Sequence, residues 1–171
     1  MNLKKKGFQL PDKIRFDEES LSGTYGKLVV EPFERGFGTT IGNSLRRVLL
    51  SSLEGAAVTA VKIPGALHEF SNIDSIKEDV IDIILNIKKL RFKFTAEGNK
   101  IATFKAKGPM KVTGKDLDCD SGIEVLNTDI VIATLDKGAN FEAELYISKG
   151  KGYVMSESNK EDLPVGMIAV D

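Results

Sequence analysis

One cysteine, Cys119, and one histidine, His68, are all that the chain has of either residue. A single cysteine excludes a disulfide framework within the chain and fits a reducing compartment. The two residues together cannot build a zinc site of the usual four-ligand kind. An excess of one charge is also missing: 24 Lys plus Arg stand against 25 Asp plus Glu, a net charge of −1. A domain that holds nucleic acid by bulk electrostatics shows a basic excess, so that class is disfavoured. No stretch reaches the ~18 apolar residues of a membrane span. The N-terminus begins basic, but no apolar run follows before Pro11 and Asp12, so a secretory leader is not supported. Lys4, Lys5 and Lys6 read as a solvated terminus. What is present is ordinary for a globular chain: 171 residues, 42% hydrophobic and 29% charged. That length makes one domain or two small ones.

The local patterns predict an α+β fold. From Lys13 to Pro32 two strands flank a turn at Ser22-Gly23, the second strand alternating from Tyr25 onward. Thr39 or Thr40 is placed to cap a helix running to about Leu53, with Gly55 as its stop and Gly42 marking a close approach. At about 100° per residue, Ile41, Leu45, Val48 and Leu49 share one apolar face. Leu50 lies about 180° from Ile41, and Leu53 falls between. The apolar arc is therefore roughly twice the ~100° stripe of a helix resting on one core. Such a helix wants neighbours on two sides. Asn43 and Arg47 lie with Leu50 on the far side, where a second partner would bury them.

A strand is expected over Ala57–Ile63, then a helix over Asp74–Lys89. Ser75 and Glu78 have capping-box spacing there, and Lys88 and Lys89 sit at the cation-favouring end. The rest reads as mostly antiparallel β structure, including two runs at 129–135 and 141–148 joined by a hairpin loop at Asp136–Asn140.

Several apparent chemical motifs fail on spacing. Gly36–Gly42 is GxGxxxG, one residue too long for a dinucleotide fingerprint, and lacks its βαβ frame. Lys149-Gly150-Lys151-Gly152 lacks the order of a phosphate loop and reads as a tight turn. Asp116–Gly122 imitates a calcium loop, but the glycine comes one place late and Asn127 stands where a bidentate Glu belongs. His68 beside Glu69 has no nucleophile placed near it. Cys119 among carboxylates should not be an activated thiolate.

Glu34–Gly55, ERGFGTTIGNSLRRVLLSSLEG, closely resembles the signature helix region of the bacterial-type DNA-directed RNA polymerase alpha subunit, N-terminal domain. The likeness continues in ALHEFS (Ala66–Ser71), EDVIDIILNIKKL (Glu78–Leu90), GKGYV (Gly150–Val154) and PVGMIAVD (Pro164–Asp171), in family order. The resemblance implies two subdomains. Residues 1–55 would begin a dimerisation subdomain, with a long helix on antiparallel strands. Residues 56–163 would be an inserted, mostly antiparallel subdomain with one clear helix. Residues 164–171 would start the return to the first, whose closing segments in the family follow Asp171.

The implied role is non-catalytic assembly: a homodimer that serves as the platform for the beta and beta-prime subunits in transcription. The nucleotidyltransferase chemistry and its magnesium would belong to those large subunits, with no cofactor, nucleic acid or membrane for this chain. By residue match, Arg47, with Asn43 and Leu50, would face beta. Ile41, Leu45, Val48, Leu49 and Leu53 would form the dimer interface. Lys88 matches a position on the beta-prime side. Glu161 and Asp162 keep the acidity of a loop that meets activators in some relatives. The implied setting is the bacterial cytoplasm, or a plastid, whose alpha subunits look alike. Two other readings compete: a small nucleotide-binding enzyme using Gly36–Gly42, and a homodimeric scaffold outside transcription.

Overall fold

A computed structural model describes residues 7–66, 68–160 and 163–171. It divides into two compact units, one ending at Ser52 and one running Leu53–Asp171. The α+β class read from the sequence is the one observed.

In the first unit, β1 (Lys13–Phe16) pairs antiparallel with β2 (Leu28–Glu31), with Lys13 opposite Glu31 and Phe16 opposite Leu28. The second strand starts later than its alternation predicts because residues 22–25 form a closed turn. The Ser22 hydroxyl accepts from the Thr24 and Tyr25 amides, and the Ser22 amide donates to the Tyr25 carbonyl at 2.9 Å. The helix α1 spans Phe37–Ser51. It begins two residues before the expected cap, because Gly36 adopts φ of 90°, a left-handed conformation that costs glycine little. Thr40 lies inside the helix, its hydroxyl turned back to the Gly36 carbonyl. The helix ends where the Ser52 amide bonds to the Val48 carbonyl, so Leu53 lies past the helix. Gly55 is not its stop but part of the next strand. A Cβ at Gly42 would meet nothing within 4 Å, so no close approach within this chain requires that glycine.

The second unit is built on a five-stranded antiparallel sheet. Its strands are β3 (Glu54–Lys62), β5 (Lys100–Lys107), β7 (Asp118–Cys119), β10 (Asn140–Lys151) and β11 (Ile168–Ala169), in the order β11-β3-β10-β5-β7. Two smaller pairs complete it. One joins β4 (Phe92–Phe94) to β8 (Ile123–Val125), the other β6 (Met110–Thr113) to β9 (Val131–Leu135). The loop at Asp136–Asn140 was expected to close a hairpin. It instead carries the chain between sheets, since β9 pairs with β6 and β10 pairs with β3 and β5. Its close packing leaves no room at Gly108, where a Cβ would run into the Asp136 carbonyl. Lys149–Lys151, expected as a tight turn, continue β10 opposite Ala56–Glu54.

The helix expected over Asp74–Lys89 is shorter. Observed α2 covers Val80–Ile87. Ser75 has φ of 62°, Ile76 bridges Leu135, and the Lys77 amide donates to the Thr134 carbonyl at 3.0 Å. Residues 75–77 thus extend the β9 ladder and cannot also be helical. Asp79 is the cap, its carboxylate accepting from the Asp82 amide at 2.7 Å. Glu78 accepts instead from the Thr134 amide at 2.6 Å and hydroxyl at 2.9 Å. Helix α2 buries Val80, Ile83 and Ile87, and packs on β9. The same core holds Phe141, Ala143, Leu145 and Ile147, the inward face of β10 predicted by its alternation. A last short helix, α3 (Ser156–Lys160), leads toward β11.

Candidate interaction surfaces

Helix α1 offers the first candidate surface. Not one of its residues is buried. Ile41, Leu45, Val48, Leu49 and Leu50 are all exposed, as is Leu53 beyond its end. Isolated helices of this length are marginal in water. Two serine hydroxyls of the helix bond to its own backbone. The Ser44 hydroxyl donates to the Thr40 carbonyl at 2.9 Å, and the Ser51 hydroxyl to the Arg47 carbonyl at 2.7 Å. Such i−4 bonds leave hydroxyls satisfied without water. What remains polar and exposed is the sector with Asn43, Arg46 and Arg47. Among the described residues neither arginine takes an ion pair or a side-chain hydrogen bond.

The Gly36–Gly42 run is not a loop between a parallel strand and a helix. Gly38 and Gly42 stand within the helix, and the preceding strand β2 belongs to an antiparallel pair.

The second surface lies on α2. Ile81, Ile84, Leu85 and Lys88 follow helical spacing along its outer side. With Ile168–Asp171 they line a groove of about 220 Å³. Lys88 is not a free cation there: its Nζ pairs with Asp171 Oδ1 at 2.5 Å. The Tyr153 hydroxyl donates to Asp171 Oδ2 at 2.7 Å. The hydrogen bond from Lys88 and then that from Tyr153 hold the Asp171 carboxyl below its ordinary value. Asp171 in turn raises the Tyr153 phenol, aided by burial.

Residues 61–171 match the family model described as the RNA polymerase Rpb3/RpoA insert domain. The chain belongs to this family. Among curated relatives, the DNA-directed RNA polymerase subunit alpha of Clostridium beijerinckii is 54% identical over 155 residues, which is 90% of this chain and 49% of the relative. The subunit of Symbiobacterium thermophilum is 54% identical over 149 residues, 86% of this chain and 47% of the relative. That of Clostridium botulinum is 53% identical over 155 residues. The chain spans about half the length of these relatives. The resemblance read from the sequence is thereby borne out.

Glu161 and Asp162 lie outside the described residues. Asp171 and Tyr153 are the polar partners that sequence reasoning missed at Lys88. They stand 83 and 65 positions away from it, and no local spacing joins them. Within residues 164–171, Ile168 and Ala169 pair with Val61 and Ala60 at the edge of the second unit's sheet.

The carboxylates that imitate a calcium loop serve the backbone instead. Asp116 accepts from the Thr113 amide at 2.7 Å, and Asp120 from the Ile101 amide at 3.0 Å. Among the described residues no three His, Cys, Asp or Glu side chains gather as a metal site would need. Burial first, then Asp118 and Asp120, raises the Cys119 thiol, in keeping with the inert cysteine expected. His68 Nδ1 lies 3.2 Å from the Ser71 hydroxyl, a local contact within a turn. Among the described residues no helix is long and apolar enough to cross a membrane.

Proposed function

We propose that this chain is an assembly part of a DNA-directed RNA polymerase alpha subunit. It dimerises through α1 and carries the beta and beta-prime subunits, while nucleotide chemistry belongs to those large subunits. The observation that carries the reading is α1 itself: a helix with a broad apolar arc and no buried residue. The Ile41, Leu45, Val48 and Leu49 face is the dimer contact, with Leu53 beyond the helix end. The Arg47 sector, with Asn43 and Leu50, faces beta. Lys88 on α2 faces beta-prime. The relatives' printed names and bacterial sources support this role and a bacterial cytoplasmic setting.

Arginine suits the beta contact, because its fixed fork of five donors matches carbonyls or a carboxylate on a partner. Capture of tagged beta by the intact subunit tests the assignment. Truncating a buried hydrogen-bonded charge at an interface costs ~2–5 kcal/mol. Arg47→Ala is therefore expected to dimerise as wild type and lose beta. Arg46→Ala, about 100° away around the helix, is expected to lose much less. Capture by Arg47→Ala at wild-type strength overturns the assignment, as does joint loss of dimer and beta.

A further inference from the structure

The polar contacts around Lys88 suggest how that surface is made ready for its partner. Lys88 follows the last turn of α2, on a four-carbon stem that is costly to immobilise. A lysine free to sample its rotamers loses roughly two- to twelvefold in affinity when a partner fixes it. Here the fixing is done in advance. The backbone that leads into Asp171 is anchored, because Val170 beside it is pinned on both backbone groups. The Val170 amide donates to the Thr59 carbonyl at 2.9 Å, and its carbonyl accepts from the Asn159 side chain at 2.7 Å. The Val170 side chain is buried in the core. The Asp171 carboxylate then uses one oxygen on Lys88 and the other on Tyr153. A single acidic side chain thus ties α2, the segment after β10 and the end of β11 together.

We propose that Asp171 is a positioning residue for the Lys88 contact: it presents the ammonium in a fixed orientation at the rim of the α2 groove, so that the partner docks on a preformed surface. This rests on the assignment of Lys88 to the beta-prime side. The Lys88 ammonium has three donors, and the Asp171 contact takes one, which leaves the others for a partner. The partner group it fits is therefore an uncharged acceptor, such as a backbone carbonyl, flanked by apolar side chains that enter beside Leu85 and Ile81. A second carboxylate would be repelled by Asp171.

The test is a double-mutant cycle in the intact subunit assembled with beta, reading beta-prime capture as a titration. Lys88→Ala is expected to weaken capture at least tenfold. Asp171→Asn is expected to weaken it roughly three- to tenfold, with melting temperature and dimerisation unchanged, and Asp171→Glu to recover most of that loss. In the Lys88→Ala background, Asp171→Asn should cost nothing further, since there is then no ammonium to position. Additive losses overturn the proposal, because Asp171 would then act independently of Lys88. Wild-type capture by Asp171→Asn while Lys88→Ala fails also overturns it, and leaves the Lys88 assignment standing. Wild-type capture by Lys88→Ala removes that assignment and the proposal with it. A fall in melting temperature that accounts for the lost capture makes the ion pair merely structural and overturns the positioning role.

Discussion

Leu45→Ala in the intact subunit should weaken dimerisation far more than it weakens the fold. Leu45 is 48% exposed within the chain. About half of the ~1.5–3 kcal/mol available from burying a leucine is therefore unrealised, ~0.7–1.5 kcal/mol per side chain. A two-fold symmetric interface uses the same patch on both protomers. The loss per dimer is then ~1.5–3 kcal/mol, roughly 10- to 150-fold in Kd. Leu85 on α2 supplies a matched control, since it is 49% exposed on a helix assigned no dimer role. Sedimentation equilibrium over a concentration series reads both variants. Leu45→Ala should shift the monomer–dimer midpoint upward by one to two decades, and Leu85→Ala should leave it in place. An unshifted midpoint for Leu45→Ala refutes the argument. Equal shifts for the two leucines refute it as well, because they would point to general apolar association and not to the α1 face.

The second unit gives two more tests. Glu78→Gln keeps the shape but loses charge at two hydrogen bonds to Thr134, one of which must now face an amide NH₂ or a weaker acceptor. Charge-assisted bonds contribute ~1.5–3 kcal/mol each, so chemical denaturation should show a loss of ~1–3 kcal/mol; an unchanged midpoint contradicts the assigned role. Cys119 should alkylate more slowly than a free thiol at pH 8. Its pKa is raised by burial and by Asp118 and Asp120, so the reactive thiolate is scarcer at that pH. The rate should keep climbing at pH values where a free thiol has levelled off. Labelling at the rate of glutathione would contradict this.

The features most legible in the sequence are those set by one element's own periodicity. Alternation placed Phe141, Ala143, Leu145 and Ile147 inward along β10, and all four are buried. Angular arithmetic put Ile41 and Arg47 on different faces of α1, and both remain exposed. What sequence patterns miss is competition from distant chain. Ser75 and Glu78 spell a capping box, yet β9 draws residues 75–77 into its ladder and takes the Glu78 carboxylate. The Asp136–Asn140 loop has the composition of a hairpin, but Val131–Leu135 finds a better partner in β6, about 20 residues earlier. The strand β6 itself is four residues long, with only Val112 fully buried, too short to raise a pattern. The Lys88–Asp171 pair is the same case at the candidate site. Each residue looks solvated in its own neighbourhood, and only the fold makes them adjacent.

The sheet order has a consequence for how the chain is made. Strand β10 lies between β3 and β5, and it is synthesised after both. About 80 residues separate the end of β3 from the start of β10. At ~5–20 residues per second, the ribosome needs roughly 4–16 s to deliver the missing neighbour. Strand β5 is complete only at Lys107, so for the last part of that interval, about 33 residues or roughly 2–7 s, β3 and β5 are two strands with nothing between them, carrying Val58, Val61 and Phe104 toward a core that does not yet exist. The finished sheet is guarded at both margins by strands of only two residues, β11 and β7, which offer little template for edge-to-edge joining. The nascent one has no such guard. The hazardous moment for this protein is therefore on the ribosome, before Lys151 emerges, and that is when a holding chaperone would be needed.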